Sequence, residues 1–297
     1  MTRASKGLKV VALGGGHGAA QTLRAARRYA GEITAIISVA DDGGSSGRLR
    51  AELGIPAPGD LRRCLGALLP DGALLAETLE HRFGAGQLEG HAFGNLLIAA
   101  LAATTGDFAQ GVEQAARLLG VEGRVLPATT EPVVLRGTGR GGEVSGQARI
   151  VQTGGVSTVH LDPPDVLPPP GAVEAILEAD QVVLGPGSLY TSLLAVTAVE
   201  PIREALGKTS AQRVYVANLK EQPPETAGFD LADHLEALSA HEVTVDVVLA
   251  HDGGLRDGKL PDAVRVEHVR LSDDGALSHD PELLARALGR LMLAQAT

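Results

Sequence analysis

The chain has 297 residues, a formal net charge of -10 and only 2% aromatic residues. This charge argues against general nucleic-acid binding, because phosphate backbones are held chiefly by clustered Lys and Arg, and base stacking needs several exposed rings. There is no apolar run of ~18 residues and no basic-then-apolar N-terminus, so we expect neither a membrane span nor a signal peptide and predict a cytoplasmic protein. The single cysteine, Cys64, excludes an internal disulfide and a cysteine-built zinc site.

The N-terminal segment predicts a βαβ unit. Residues 9–13 form a nearly continuous apolar run that stops at a glycine cluster, as buried parallel strands do. Residues 19–29 follow, with Ala20, Leu23 and Ala26 at the spacing of an amphipathic helix. A second apolar run covers residues 33–40, so we expect two parallel strands joined by a right-handed crossover.

The rest of the chain repeats this alternation of buried strands and amphipathic helices. Asp60 is placed to cap a helix over residues 61–69. Further helices are predicted over residues 95–103, 229–240 and 281–294, and further buried strands over residues 181–184, 213–217 and 243–250. We therefore predict an α/β fold, a doubly wound, Rossmann-like and mostly parallel sheet, in a single domain spanning residues 1–297.

The character of the sequence changes between about residues 124 and 170. Short β-prone pieces at residues 133–135, 148–151 and 156–161 alternate with a glycine-rich stretch at residues 137–142 and a proline-rich stretch at residues 163–170. Such alternation is typical of antiparallel hairpins followed by a turn-rich connection. We predict a small antiparallel β insertion here, within the same domain.

The first glycine cluster is a candidate phosphate-binding loop. Gly14-Gly15-Gly16-His17-Gly18-Ala19 fits the pattern G-x-G-x-x-A after a predicted strand and before a predicted helix. In that context backbone N–H groups and the helix N-terminus can hold a phosphate. The alternative is a tight strand-to-helix turn with no ligand, which needs the same glycines.

A second candidate loop follows the second strand and reads Asp41-Asp42-Gly43-Gly44-Ser45-Ser46-Gly47-Arg48. Dinucleotide-binding folds place a carboxylate against a ribose at this position. Asp41 and Asp42, with Asp60 as a third candidate, can also hold a hydrated Mg²⁺ together with ligand phosphates, and Arg48 can neutralise a phosphate. The alternative is a glycine turn in which Asp42 or Ser45 caps a helix.

Two further segments supply polar side chains between these loops and the insertion. Arg62, next to Arg63, is a candidate contact for an anionic ligand, and a solvated helix surface is the alternative. His91 and Asn95 stand four residues apart in a segment with two glycines, and can present one polar face to a ligand. A capped helix start with a surface histidine is the alternative for this pair.

The third candidate loop follows the strand at residues 181–184. Gly185-Pro186-Gly187-Ser188-Leu189-Tyr190-Thr191-Ser192 combines backbone donors with the hydroxyl groups of Ser188, Tyr190, Thr191 and Ser192. These groups suit a diphosphate or a sugar in the crevice at the carboxyl edge of an open α/β sheet. Asn218 ends the next strand at the same edge, where it can bind a base or sugar or cap a helix.

Taken together, these segments resemble the YvcK/CofD family over nearly the whole chain, and its gluconeogenesis-factor branch most closely. The resemblance lies in Gly14-Gly15-Gly16-His17-Gly18, in residues 40–48 and 58–60, in Gly90-His91 with Gly94-Asn95, and in residues 185–192. It implies a Rossmann-like fold and a ligand such as UDP-N-acetylglucosamine. It also implies a regulatory role in growth on gluconeogenic carbon sources, cell shape and cell-wall synthesis, with no established reaction.

The other branch of the family comprises 2-phospho-L-lactate transferases of coenzyme F420 synthesis, which use a guanosine diphospho-lactate donor, a deazaflavin acceptor and a divalent metal. The long segment at residues 41–48 resembles the gluconeogenesis-factor branch instead. Two positions depart from that branch. Ser278-His279-Asp280 stands where Arg-His-[Asp or Asn] is common, and His17 stands where many relatives have Thr.

Three hypotheses follow from the sequence. The favoured one is a non-catalytic regulator that binds a UDP-sugar at the first and third loops, with Asp41 and Asp42 near a ribose or a metal. The second is a metal-dependent transferase with a nucleotide-diphosphate donor, for which His17 and His91 are candidate bases. The third, an NAD-dependent dehydrogenase, rests on the first glycine loop alone. The sequence leaves self-association into a homo-oligomer open.

Overall fold

A computed structural model describes residues 7–261 and 263–295 of the chain. Its ten strands form a seven-stranded sheet and a three-stranded sheet. The strands are β1 (Lys9–Gly14), β2 (Glu32–Ile37), β3 (Arg124–Pro127), β4 (Val134–Gly139), β5 (Gly142–Ser145), β6 (Val156–Asp162), β7 (Gln181–Leu184), β8 (Gln212–Val216), β9 (Val247–His251) and β10 (Arg265–Val269).

Helices connect most of these strands. They are α1 (Gly16–Ala26), α2 (Gly44–Leu53), α3 (Gly59–Ala67), α4 (Leu74–Glu80), α5 (Phe93–Thr105), α6 (Phe108–Leu119), α7 (Gln147–Thr153), α8 (Ala172–Leu177), α9 (Leu194–Thr197), α10 (Glu200–Lys208), α11 (Leu231–Ala240) and α12 (Pro281–Gln295), with a π-helical turn at Leu189–Leu193 before α9. No helix within residues 7–261 and 263–295 combines the length and hydropathy needed to cross a bilayer.

The large sheet has the order β10-β9-β8-β7-β1-β2-β3, and every neighbouring pair is parallel. The chain starts in the middle at β1, moves outward to β2 and β3, and then returns to β7 on the other side of β1. Right-handed crossovers that run in opposite directions put their helices on opposite faces of the sheet. The predicted doubly wound, Rossmann-like parallel sheet is therefore confirmed, with its switch of direction between β1 and β7.

The central strands are apolar because both of their faces are buried in the core. Val11, Leu13, Val182 and Leu184 are all at most 2% exposed, because helices cover both faces of the central strands. On one face α1 packs against α3 and α12, while α8 packs against α10. This arrangement leaves the carboxyl edge of β1 and β7 as the place where loops, not helices, meet.

The β-rich segment is a separate three-stranded antiparallel sheet of order β5-β4-β6. The predicted antiparallel insertion is confirmed, but two details differ. Arg124–Pro127, inside the predicted limits of 124–170, is β3 of the large sheet, paired with β2. Residues 148–151, predicted to be β-prone, lie in helix α7, whose first turn is anchored by a side chain from the large sheet's loops.

Two other local predictions were wrong. Asp60 does not cap α3, since the residue before this helix is Pro58 and no side chain makes the capping hydrogen bond. Residues 44–48 of the second candidate loop begin helix α2, which the alternative interpretation allowed, but neither Asp42 nor Ser45 caps it. Only Ser45, Ser46 and Leu49 of this helix are buried. With so few buried apolar side chains this helix lacks the periodic stripe that identifies amphipathic helices.

A polar network centred on Gln181 joins the turn after α1, the sheet and α12. The Tyr29 hydroxyl donates to Gln181 Oε1 at 2.7 Å, and Gln181 Nε2 donates to Gln212 Oε1 at 3.2 Å and to the Leu288 carbonyl at 3.3 Å. Gln181 is fully buried in β7. Its amide is stable there only because each polar atom has a partner.

We predict that Tyr29→Phe lowers the free energy of unfolding by about 1–3 kcal/mol, because Gln181 Oε1 loses its donor while staying buried. Tyr190→Phe is the matched control. Tyr190 is buried at 3% exposed, whereas Tyr29 is partly buried, but the Tyr190 hydroxyl forms no hydrogen bond with the described part of the chain, so little change is expected. Urea unfolding of both variants tests this, and equal losses would contradict the role of the network.

Candidate functional site

The first and third glycine loops meet where the sheet changes direction. Leu13 pairs with Leu184 at the ends of β1 and β7, and the Gly185 N–H donates to the Leu13 carbonyl at 3.0 Å. A Cβ atom on Gly18 would collide with the Pro186 carbonyl and lie 2.9 Å from the Gly187 nitrogen. A glycine in the first turn of α1 is therefore what lets the two loops approach so closely.

A cleft of about 240 Å³ opens between these loops. Its lining comes from four segments, the first turns of α1, the loop after β7, the loop after β8 and the segment before α12. The lining residues are His17, Gly18, Gln21, Pro186, Gly187, Asn218, Leu219, Lys220, Glu221, Gln222, Ala276, Leu277, Ser278 and His279. The structure thus brings His17, Gly18, Gly187 and Asn218 of the predicted site residues together.

Asn218 shapes the cleft. Its Oδ1 accepts from the Gly187 N–H and its Nδ2 donates to the Gly187 carbonyl, both at 2.9 Å, while Nδ2 also donates to Gln222 Oε1. Both amide atoms of Asn218 are therefore occupied. The side chain predicted to bind a base or sugar instead fixes the backbone of the loop after β7.

Glu225 holds the same loop from beneath, and sequence analysis had not singled it out. Its carboxylate is 4% exposed and accepts from the Thr191 N–H at 3.0 Å and from the Thr191 hydroxyl at 2.8 Å. The Ser188 hydroxyl and the Leu189 N–H also donate to it. Burial raises the pKa of the Glu225 carboxyl, and these hydrogen bonds oppose that shift. Two of the four predicted ligand-binding hydroxyl groups therefore face Glu225.

The other two hydroxyl-bearing residues of the loop point in different directions. The Tyr190 ring is 3% exposed and packs edge-on against Phe229 and His241, and burial, with Glu225 nearby, raises the pKa of its hydroxyl to about 12. Ser192 is next to the first glycine loop, where its Oγ would lie 3.3 Å from a Cβ atom on Gly15. Ser192 is thus the hydroxyl of this loop that faces Gly15.

Asp60 sits beneath the first glycine loop. Its carboxylate accepts from the Gly16 N–H and from Arg63 Nη1 at 2.7 Å. Burial, more than the neighbouring Asp41, raises the pKa of Asp60, while Arg63 opposes that shift. Asp60 therefore accepts from one of the N–H groups at the start of α1 that have no acceptor within the helix. The sequence predicted that Asp60 would cap α3 instead.

The two acids after β2 contact the protein itself. Asp41 Oδ1 accepts from the Gly43 N–H at 3.0 Å, and Asp42 Oδ1 accepts from the Ala148 N–H in the first turn of α7 at 2.9 Å. Within residues 7–261 and 263–295 there is no group of three or more His, Cys, Asp or Glu side chains placed to hold a metal ion. The described acids therefore do not form a ready-made metal site, and Mg²⁺ binding remains a prediction.

Ser45, His91 and Asn95 form one buried cluster between α2 and α5. Ser45 Oγ accepts from Asn95 Nδ2 at 3.0 Å and from the Ala92 N–H at 3.3 Å, and lies 3.1 Å from His91 Nδ1. Ser46 is buried beside Gly59, where a Cβ atom added to the glycine would collide with Ser46 Oγ. This cluster lies on the Asp41 side of the carboxyl edge, and its polar atoms are bonded to one another.

The two predicted arginine contacts do not line the cleft. Arg62 is 1% exposed, with Nε and Nη2 donating to Glu80 and Nη1 donating to Asn95 Oδ1. Its guanidinium therefore joins α3 to α4 and α5. Arg48 is exposed and donates to the Glu89 carbonyl at 2.6 Å.

A larger depression, of about 710 Å³, lies at the opposite edge of the sheet beside the amino ends of β1 and β2. Its lining includes Lys9, Arg27, Glu32 and Glu178, and Lys9 already pairs with Glu178 at 2.8 Å. None of the glycine loops reaches it. Ligands of open α/β sheets bind at the carboxyl edge, so the smaller cleft is the candidate site.

We predict that Asp42→Ala loosens α7, because the first turn of this helix loses its side-chain acceptor, a loss of about 0.5–2 kcal/mol for a helix cap. Amide hydrogen exchange across Gln147–Thr153 should become faster, while exchange in β1 and β7 stays unchanged. Asp42→Asn is the matched control, since its amide oxygen can still accept from Ala148. Unchanged exchange in Asp42→Ala would contradict this role.

Comparison with known proteins shows which family the chain matches. The family model described as 2-phospho-L-lactate transferase CofD matches residues 10–290. A gluconeogenesis factor of Halalkalibacterium halodurans is 40% identical, with 95% of this chain and 88% of that protein covered, and one of Bacillus subtilis is 42% identical, with 84% and 80% covered. A relative from Nostoc sp. is 40% identical over 98% of this chain, but the chain spans 64% of that relative's length.

Among solved structures, a crystal structure of a UPF0052 family member from Bacillus halodurans matches with a TM-score of 0.88 at 37% identity. The match covers 95% of this chain and 99% of that one. Sequence and structure therefore agree over almost the whole chain, as the separated glycine-rich motifs predicted. The chain belongs to the YvcK/CofD family and, within it, to the gluconeogenesis-factor branch.

Proposed function

We propose that the chain binds a nucleotide-diphosphate sugar of the UDP-N-acetylglucosamine type in the cleft between the first turn of α1 and the loop after β7. The observation that carries this proposal is the meeting of two glycine loops at the switch of direction between β1 and β7, with an open cleft of about 240 Å³ between them. Nucleotides bind open α/β sheets at this kind of crevice.

The chemistry of the cleft suits a diphosphate. The N-terminus of α1 carries a partial positive charge, and its first N–H groups have no acceptor within the helix. Asp60 already takes the Gly16 N–H, so a phosphate would be held by the N–H groups that follow it, at His17 and Gly18. The fixed backbone of Gly187 faces them across the cleft.

A regulator fits these features better than an enzyme does. Asp41, Asp42 and Asp60 are bonded to backbone N–H groups or to Arg63, and the described residues include no group of three or more His, Cys, Asp or Glu side chains placed to hold a metal ion. The relatives from Halalkalibacterium halodurans and Bacillus subtilis are named gluconeogenesis factors. The proposed role is therefore ligand-dependent regulation of carbon metabolism, with cell shape and cell-wall synthesis as its outputs.

The description of the matching family model favours one second candidate, a transferase that uses a nucleotide-diphosphate donor. Such an enzyme would bind GDP and a deazaflavin acceptor in the same cleft. Turnover that is lost in Asp42→Asn while the fold is kept would support it. The nucleotide that stabilises the protein distinguishes the two candidates, since the regulator would bind a UDP-sugar and the transferase would bind GDP.

We predict that UDP-N-acetylglucosamine raises the melting temperature, because a ligand that binds only the folded state stabilises it. Ser278→Trp should abolish the shift by filling the cleft from its exposed wall. Ser210→Trp is the matched control, an exposed serine just before β8 at the opposite edge of the sheet, and should keep the full shift. Differential scanning fluorimetry with and without Mg²⁺ measures all three proteins.

Three results would count against the proposal. No shift in melting temperature with UDP-sugars at millimolar concentration would exclude this class of ligand. A shift in Ser278→Trp equal to that of the unchanged protein would exclude the cleft as the binding site. Stabilisation by GDP and a deazaflavin, but not by UDP-sugars, would move the assignment to the transferase. A shift that appears only with Mg²⁺ would establish the predicted metal together with the ligand.

A further inference from the structure

Lys220 stands at the mouth of the cleft, in the loop that follows β8. It lines the cleft and also lines a second depression of about 260 Å³, whose other walls include Pro223, Phe229, Leu255 and Arg256. Its side chain is exposed. Lys220 therefore lies on the boundary between the glycine loops and the neighbouring surface.

Lys220 is the one lysine or arginine among the residues that line the cleft. The two histidines in the lining do not add positive charge near pH 7. Burial, aided by the Arg63 guanidinium, lowers the pKa of His17, and burial lowers the pKa of His279 to about 4. His279 Nε2 lies 3.1 Å from the Ala217 carbonyl, so this ring is also occupied.

The acid next to Lys220, which also lines the cleft, forms no ion pair with it. Glu221 Oε2 accepts from the Gly228 N–H at 2.7 Å, which holds its carboxylate toward residue 228. Lys220 has no hydrogen bond or ion pair within the described residues, whereas Lys9 and Lys208 pair with Glu178 and Glu204 at 2.8 and 2.7 Å. The cleft therefore has one positive charge without an internal partner, in a chain whose net charge is -10.

We propose that Lys220 binds a phosphate oxygen of the ligand and makes the cleft select diphosphates over ligands with fewer phosphate charges. This inference rests on the proposed function, because it needs a nucleotide in the cleft. The N–H groups of the first turn of α1 carry no formal charge, and the Gly187 N–H is already taken by Asn218, so these groups cannot balance the charge of a diphosphate alone. A flexible ammonium group at the mouth of the cleft supplies that balance.

The segment before α12, which also lines the cleft, makes this assignment more specific. Ser278 lies in the same lining, in the segment before α12, and brings a hydroxyl group but no charge. The positive charge for the ligand therefore comes from the loop after β8 and not from the C-terminal segment. This loop is also the one that Asn218 and Glu225 fix to the glycine loop after β7.

Isothermal titration of UDP-N-acetylglucosamine, UMP and uridine into the full chain tests the inference. Lys220→Met should raise the Kd for UDP-N-acetylglucosamine by about tenfold or more, as expected for loss of a hydrogen bond to a charged group. The Kd for uridine should not change, and the salt dependence of UDP-sugar binding should become weaker. Lys220→Arg should restore most of the affinity.

Lys208→Met is the matched control, since Lys208 is exposed and ends α10 at the amino edge of the sheet, and it should bind like the unchanged protein. UDP-sugar binding by Lys220→Met within about a factor of two of the unchanged protein would overturn the role of Lys220 and leave the proposed function standing. Absence of binding by the unchanged protein would overturn both.

Discussion

The close contact between the first turn of α1 and the loop after β7 is the constraint on which the site depends. Gly18 lies against the Pro186 carbonyl with no room for a side chain, and this contact closes the crevice between β1 and β7 into a cleft. The same turn places the N-terminus of α1 at the carboxyl edge of the sheet, where His17 and Gly18 line the cleft. The proposed phosphate contacts at the His17 and Gly18 N–H groups follow from that geometry.

Several polar side chains around the cleft are bonded to backbone groups and fix its shape. Asn218 and Glu225 take up the donors and acceptors of the loop after β7, and Asp42 does the same for the first turn of α7. Buried polar groups are stable only when paired, so these side chains fix the loop after β7 and the start of α7 in place. The insertion is tied to the site in this way, since α7 is anchored by Asp42, which lies in the segment between β2 and α2.

The strands and the glycine loops were predictable from sequence because their signals are local. Continuous apolar runs ending at Gly14 and Gly185 identify buried parallel strands, and the crevice rule then places both loops at one edge. Helix α2 was predicted only as an alternative, because Ser45, Ser46 and Leu49 are its only buried residues, which leaves no apolar stripe. Residues 148–151 were assigned to a strand because Ile150 and Val151 favour strands, whereas the acceptor that starts α7 is Asp42, distant in sequence.

The roles of single side chains were the least predictable part of the site. Arg62 lies in a cationic stretch of sequence, yet Glu80 and Asn95 enclose its guanidinium inside the protein. Glu225 and Lys220 stand alone in a loop without a recognisable pattern, and only the fold brings one beneath and the other beside the loop after β7. Long-range packing decides which of two neighbouring polar residues faces a ligand, and no local rule contains that information.

A crystal structure of the chain with UDP-N-acetylglucosamine tests the central claim most directly. The account predicts density for the diphosphate between the first turn of α1 and Gly187, within hydrogen-bonding distance of the backbone N–H groups at His17 and Gly18. A ligand bound instead in the depression beside Lys9 and Arg27, at the opposite edge of the sheet, would contradict it.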